Sequence, residues 1–84
     1  MKLNEALQEF ERQGVPDYQY TVGGLGGGDV FGIEHVDGTW YTYFSERGSK
    51  NNRKSWATEA EAVSEFYSNI RELMLALNQW QDDA

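Results

Sequence analysis

The chain has 84 residues, fourteen acids against seven bases, a net charge of −7 and no cysteine. That length allows one domain over residues 1–84, small enough to bury only about 60–65% of its unfolded surface, and the missing cysteines exclude disulfides and thiolate metal sites. The acidic balance disfavours nucleic-acid and anionic-membrane binding, both of which need a basic face.

In chain order, Leu3, Ala6, Leu7 and Phe10 fall at i, i+3, i+4 and i+7, which predicts an amphipathic helix over 3–13. Asn4 is its candidate N-cap, Gly14 its C′ residue, and Pro16 a stop beyond it. Residues 18–22 (Tyr-Gln-Tyr-Thr-Val) alternate and are rich in β-formers, so they read as a strand. Residues 23–29 hold five of the nine glycines and read as a β-hairpin loop. A phosphate cradle there would need a following helix and a Lys-Ser/Thr end, and has neither. Residues 30–36 form a second strand, Asp37-Gly38 is a type I′ hairpin signal, and residues 39–46 form a third strand.

Residues 48–55 are polar and basic and read as a solvated surface loop, whose cations could alternatively grip an anion. Thr58 and Glu61 then make a capping box. Val63, Phe66, Tyr67, Ile70, Leu73, Met74 and Leu77 continue as a long helical stripe that Trp80 could extend, with residues 81–84 fraying. The expected fold is α+β: a three-stranded antiparallel sheet with the N- and C-terminal helices on one face, in the order α-β-β-β-α.

A two-residue Asp37-Gly38 loop fixes a register. His35 then opposes Trp40, Ile33 opposes Thr42 and Phe31 opposes Phe44 on one face; Glu34 opposes Tyr41, Gly32 opposes Tyr43 and Val30 opposes Ser45 on the other. The first set is more apolar and belongs under the helices. The second belongs on an open face, where Tyr41, Tyr43, Glu34 and Arg47 make a candidate docking patch of hot-spot residue types. Tyr43 over Gly32 also fits plain aromatic cover of a strand glycine.

No catalytic constellation emerges. His35 is the sole histidine, and its parity points it into the buried face beside Trp40. No set of residues has metal-ligand spacing, and no cofactor or metal is expected. Glu59, Glu61 and Glu65 offer a second candidate binding surface, although a helix N-terminus favours acids on electrostatic grounds alone. Four of the seven bases (Arg47, Lys50, Arg53, Lys54) lie in one eight-residue segment, which leaves Lys2, Arg12 and Arg71 against fourteen acids elsewhere. Such a surface favours a basic partner, or serves solubility.

The order α-β-β-β-α resembles double-stranded RNA-binding domains, but the second helix opens on Thr58-Glu59-Ala60-Glu61-Ala62 where that family carries a lysine-rich phosphate grip. A fuller resemblance, over about residues 15–70, is to small immunity proteins of bacterial polymorphic toxin systems. It rests on Tyr20 with Gly23-Gly24, on Glu34, on Asp37-Gly38-Thr39-Trp40, on the run Tyr41-Thr42-Tyr43-Phe44-Ser45-Glu46-Arg47-Gly48, and on the Thr58 helix start. Where such families often carry cysteines, this chain has Ile33 and Val63. The resemblance implies a cytoplasmic, non-enzymatic protein that binds the C-terminal domain of a cognate toxin and blocks its active site. A basic substrate cleft would suit an acidic inhibitor. The simpler expectation for its state alone is a monomer. A general acidic interaction module or adaptor is the alternative. The opening residues show no apolar h-region of a signal peptide.

Overall fold

The computed structural model describes residues 1–82. Its elements run α1 (Leu3–Arg12), a 3-10 turn (Asp17–Gln19), β1 (Tyr20–Val22), β2 (Val30–Val36), β3 (Thr39–Glu46), β4 (Ser49–Trp56) and α2 (Glu59–Ala76). The strands form one mixed sheet of order β1-β2-β3-β4, with β1 parallel to β2 and the other pairs antiparallel. The architecture is therefore α+β with four strands rather than three, and the chain departs from the α-β-β-β-α order expected of it.

Both helices end as their sequences require. Gly14, at φ 75°, is the C′ residue of α1, and the Val15 and Gly14 amides donate to Phe10 and Glu11 carbonyls, a complete Schellman motif. At the α1 start the cap is Lys2 rather than Asn4, with the Glu5 carboxylate accepting from the Lys2 amide at 2.7 Å. For α2, Thr58 Oγ1 accepts from the Glu61 amide at 3.2 Å.

The helix stripes make the core. Phe10 of α1 meets Tyr20, Phe66, Tyr67 and Trp80 at ring distances of 5.2–6.3 Å, and Ile33 rises from the sheet into the same cluster with Val63, Phe66, Ile70 and Met74. α2 ends at Ala76 instead of running on to Trp80. Asn78, at φ 60°, closes a second Schellman turn, and the reversal swings Trp80 back under Phe10 and Tyr67, where it is buried. Gln81 and Asp82 do not fray. The Gln13 side chain exchanges two hydrogen bonds with the Gln81 backbone, and Arg71 grips the Asp82 carboxylate. The rest of that expected fraying, at Asp83 and Ala84, lies outside the described residues.

The β2–β3 register matches the Asp37-Gly38 prediction pair by pair, from Val36–Thr39 to Val30–Ser45. Asp37 and Gly38 have φ of 50° and 79°, as a type I′ turn demands. Arg47 and Gly48 repeat the geometry at 50° and 78°, which makes residues 49–56 a strand and not a loop. Their polar run hid this: β4 contains no β-branched residue, and it is held by pairing with β3 at the sheet edge, where charged side chains also deter further strand addition.

The glycine segment is no hairpin loop either, because β1 and β2 run parallel. It crosses the sheet face opposite the helices. Tyr43 Oη donates to the Gly24 carbonyl at 2.6 Å, and the Gly26 amide donates to Ser45 Oγ at 3.0 Å.

Candidate functional site

The sheet face away from the helices is where Glu34, Tyr41 and Tyr43 were expected to lie open. They do share that face, but its middle is covered, and a groove of about 490 Å³ beside Glu34, Lys50 and Gly23-Gly24 is what remains open near it. Tyr43 is 3% exposed and Glu34 5%, while Tyr41 is half-buried. Besides the glycine crossing, the cover is a charge cluster. Lys50 Nζ donates to Glu34 Oε2 at 2.6 Å, and Arg53 donates to Glu34 Oε1 through Nε at 3.0 Å and a terminal nitrogen at 2.8 Å. The Arg53 guanidinium lies 3.6 Å from the Tyr41 ring centre, and Lys50 lies 5.2 Å from that of Tyr43.

A bulge in β4 makes this cluster possible. Residues 50 and 53 are three apart, so in a regular strand they would face opposite sides. Thr42 pairs with Lys54 but Phe44 pairs with Asn51, which inserts one extra residue opposite Tyr43, with Asn52 at φ 53°. The shifted parity places both cations beside Glu34. The anion these loop-like bases grip is thus a carboxylate of the same chain.

Burial pushes the Glu34 carboxyl up, but the hydrogen bonds and charges of Lys50 and Arg53 outweigh it and hold its pKa below the ordinary value. Burial, with Glu34 nearby, pushes the Tyr43 phenol up to about 12. Gly32 belongs to the same packing: a Cβ there would lie 2.4 Å from the Tyr43 ring and 2.9 Å from the Thr21 methyl. Tyr43 is therefore cover for a strand glycine.

Arg47 is not part of this group. It sits exposed in the β3–β4 turn, and no ion pair joins it to Glu46 among the described residues. The Ser-Glu-Arg-Gly run has a local reason in this fold: Ser45 holds the glycine crossing and Arg47-Gly48 makes the turn. His35 stacks on Trp40 at 4.4 Å and 6° as its parity required, yet it is exposed rather than buried. Among the described residues no three His, Cys, Asp or Glu side chains come together as metal ligands, and no helix is long and apolar enough to cross a membrane.

Three further candidates lie on α2, where Glu61 is exposed and Glu59 and Glu65 are half-buried. Glu59 ties the two helices together by accepting from the Leu3 amide at 2.9 Å. Glu61 takes part in the Thr58 cap. Glu65 forms no ion pair among the described residues. Trp56, Ala60, Glu61 and Glu65 line a groove of about 460 Å³, and Glu65 also borders a second of about 290 Å³ lined by Phe31, Tyr43, Phe44 and Lys54. The two meet at Glu65 in a trough on the β4 side of α2. It stays uncovered because α1 packs against the other flank of α2, on the β1 side, through Phe10 and Tyr20.

Sequence reasoning missed Lys50, Arg53, Lys54 and Trp56 as partners in these surfaces. The available signal was Lys54 alternating with Trp56, an aromatic closing a polar run two residues before a helix cap. Comparison of the chain with protein-family models, with curated proteins and with solved structures finds no match.

Proposed function

We propose that this chain is an immunity-type binding protein, a non-catalytic acidic domain that neutralises a cognate bacterial toxin domain in the cytoplasm by covering its basic substrate cleft. The observation that carries the reading is the outer wall of α2. Glu61, Glu65 and Glu72 stand four and seven residues apart on one stripe of that helix, none in an ion pair among the described residues, beside an uncovered trough with an aromatic lining. Rows of carboxylates steer a cationic partner and mimic the phosphates that a nuclease-like cleft attracts, and an aromatic in a groove supplies the anchor such interfaces use. The run from Trp40 to Gly48 supports the same class by its likeness to immunity proteins.

The surface in this proposal is the α2 wall, with Glu61 and Glu65. Glu34, paired with Lys50 and Arg53, and Tyr43, bonded to the Gly24 carbonyl, serve the sheet's far face in this proposal rather than the contact. The test is a titration of the purified chain against the product of the adjoining gene, which the proposal expects to end in a toxin-like domain. Tight binding that inhibits that domain, and that weakens at least tenfold when Glu61 and Glu65 are both changed to Lys, supports the proposal. Binding indifferent to the double reversal would move the interface elsewhere, and absence of binding would remove the function.

A further inference from the structure

The trough on the β4 side of α2 has features that specify what enters it. The Trp56 ring is fixed by its indole N–H, which donates inward to Thr42 Oγ1 at 2.9 Å. One ring face already holds a cation: Lys54 Nζ lies 4.2 Å from the centroid. Lys54 is exposed and forms no ion pair among the described residues, so it rests on the ring while the carboxylate of Glu65 across the trough stays unmatched. A cation on a Trp face is favoured by the ring quadrupole. An ammonium does this as a hydrated point charge, whereas a planar guanidinium can stack and offer a fork of N–H donors to a carboxylate at once.

Resting on the protein-binding reading above, we infer that the trough takes an arginine side chain of the partner. Its guanidinium stacks on Trp56 in place of Lys54, which swings into solvent, and its N–H groups pair with Glu65, with Glu61 at the rim. The charge complementarity is local: the trough has two carboxylates on one wall and a resident cation that is its own competitor.

A capped Gly-Arg-Gly tripeptide and its citrulline counterpart, which keeps the shape and loses the charge, make the probe pair. In an NMR titration at low salt, the arginine peptide is expected to shift the Trp56 indole N–H and the Glu61 and Glu65 amides saturably, with citrulline at least about fivefold weaker. Glu65→Gln, on the solvent side of α2, should weaken the arginine peptide by about fivefold. Lys54→Ala should tighten it about two- to threefold by removing the competitor, a change of sign that loss of a merely structural side chain would not give. Unmoved signals remote from the trough, such as the Gly26 amide bonded to Ser45 Oγ, certify the fold of each variant. Equal binding of the two peptides, no saturable shift at Trp56, or weaker binding in Lys54→Ala would overturn the inference. If the toxin-like domain binds but the peptide does not, the arginine assignment fails alone; if the peptide binds and no toxin-like domain does, the immunity reading fails alone.

Discussion

The two faces of the sheet are both buried in their middle, by opposite means. On the helix side, Ile33 sits in a hydrocarbon and aromatic cluster under α1 and α2. On the far side no helix is present, yet Val30, Tyr43, Ser45 and Glu34 are nearly as inaccessible, closed in by a glycine crossing and a carboxylate with two cations. Lack of a covering helix therefore does not make a sheet face available. The converse also holds, since the helix side has an open strip beside β4, where no second helix flanks α2.

Substitutions on the two faces should differ in cost accordingly. The largest effect belongs to the helix side: Phe66→Ala should cost about 3–5 kcal/mol through a cavity among Phe10, Tyr20 and Ile70, seen as a large fall in the urea midpoint. A melt unchanged from wild type would refute the core assignment. On the far side, Glu34→Ala strands two partly exposed cations (Lys50 31% and Arg53 39% exposed), so the expected loss is smaller, about 1–3 kcal/mol. Gly32→Ala should cost a similar about 1–3 kcal/mol by overpacking, and much less in a Tyr43→Ala background, because the methyl and the ring compete for one space. An additive double mutant would show that the ring is not what confines Gly32.

The far face responds to pH at both ends of the scale. The Glu34 pKa is lowered in the fold, so its contribution is present above the unfolded carboxyl value of about 4.3 and is lost as pH falls through the lower folded value. Glu34→Gln should flatten that acid limb, although Glu9 and Asp82, also lowered, keep part of it. Tyr43 works in the other direction. Its pKa is raised to about 12, so stability held below about 10 declines as pH rises toward 12, and Tyr43→Phe should abolish much of that decline. The smallest effect is at the turn: Arg47→Gly should stabilise by a few tenths to about 1 kcal/mol by relieving a non-glycine residue at φ 50°.

The sequence carried the helix-side face well. Periodicity located both helices, and Asp37-Gly38 fixed a seven-pair register because a two-residue turn leaves one solution. It carried the far face poorly for physical reasons. β4 is an edge strand stabilised by its neighbour rather than by its own propensities, and the parallel β1–β2 pairing is a tertiary choice with no local marker. The bulge at Asn52 inverts side-chain parity, so no period-2 reading could bring Lys50 and Arg53 to Glu34. From a three-stranded sheet, the tyrosines had to look open. With β4 in place, Tyr43 becomes cover, Tyr41 lies under the Arg53 guanidinium, Arg47 is a turn residue, and Glu65 and Trp56 line a groove.

The comparison between faces reduces to one experiment on binding. Calorimetric titration against the adjoining gene's product, the proposed partner, would compare wild type with Glu61→Lys/Glu65→Lys, on the α2 wall, and with Tyr41→Phe, on the far face. A loss of at least about tenfold in the first variant and wild-type affinity in the second is the expected result. The reverse pattern, with the double reversal silent and Tyr41→Phe weakened, would contradict it and return the interface to the far side of the sheet.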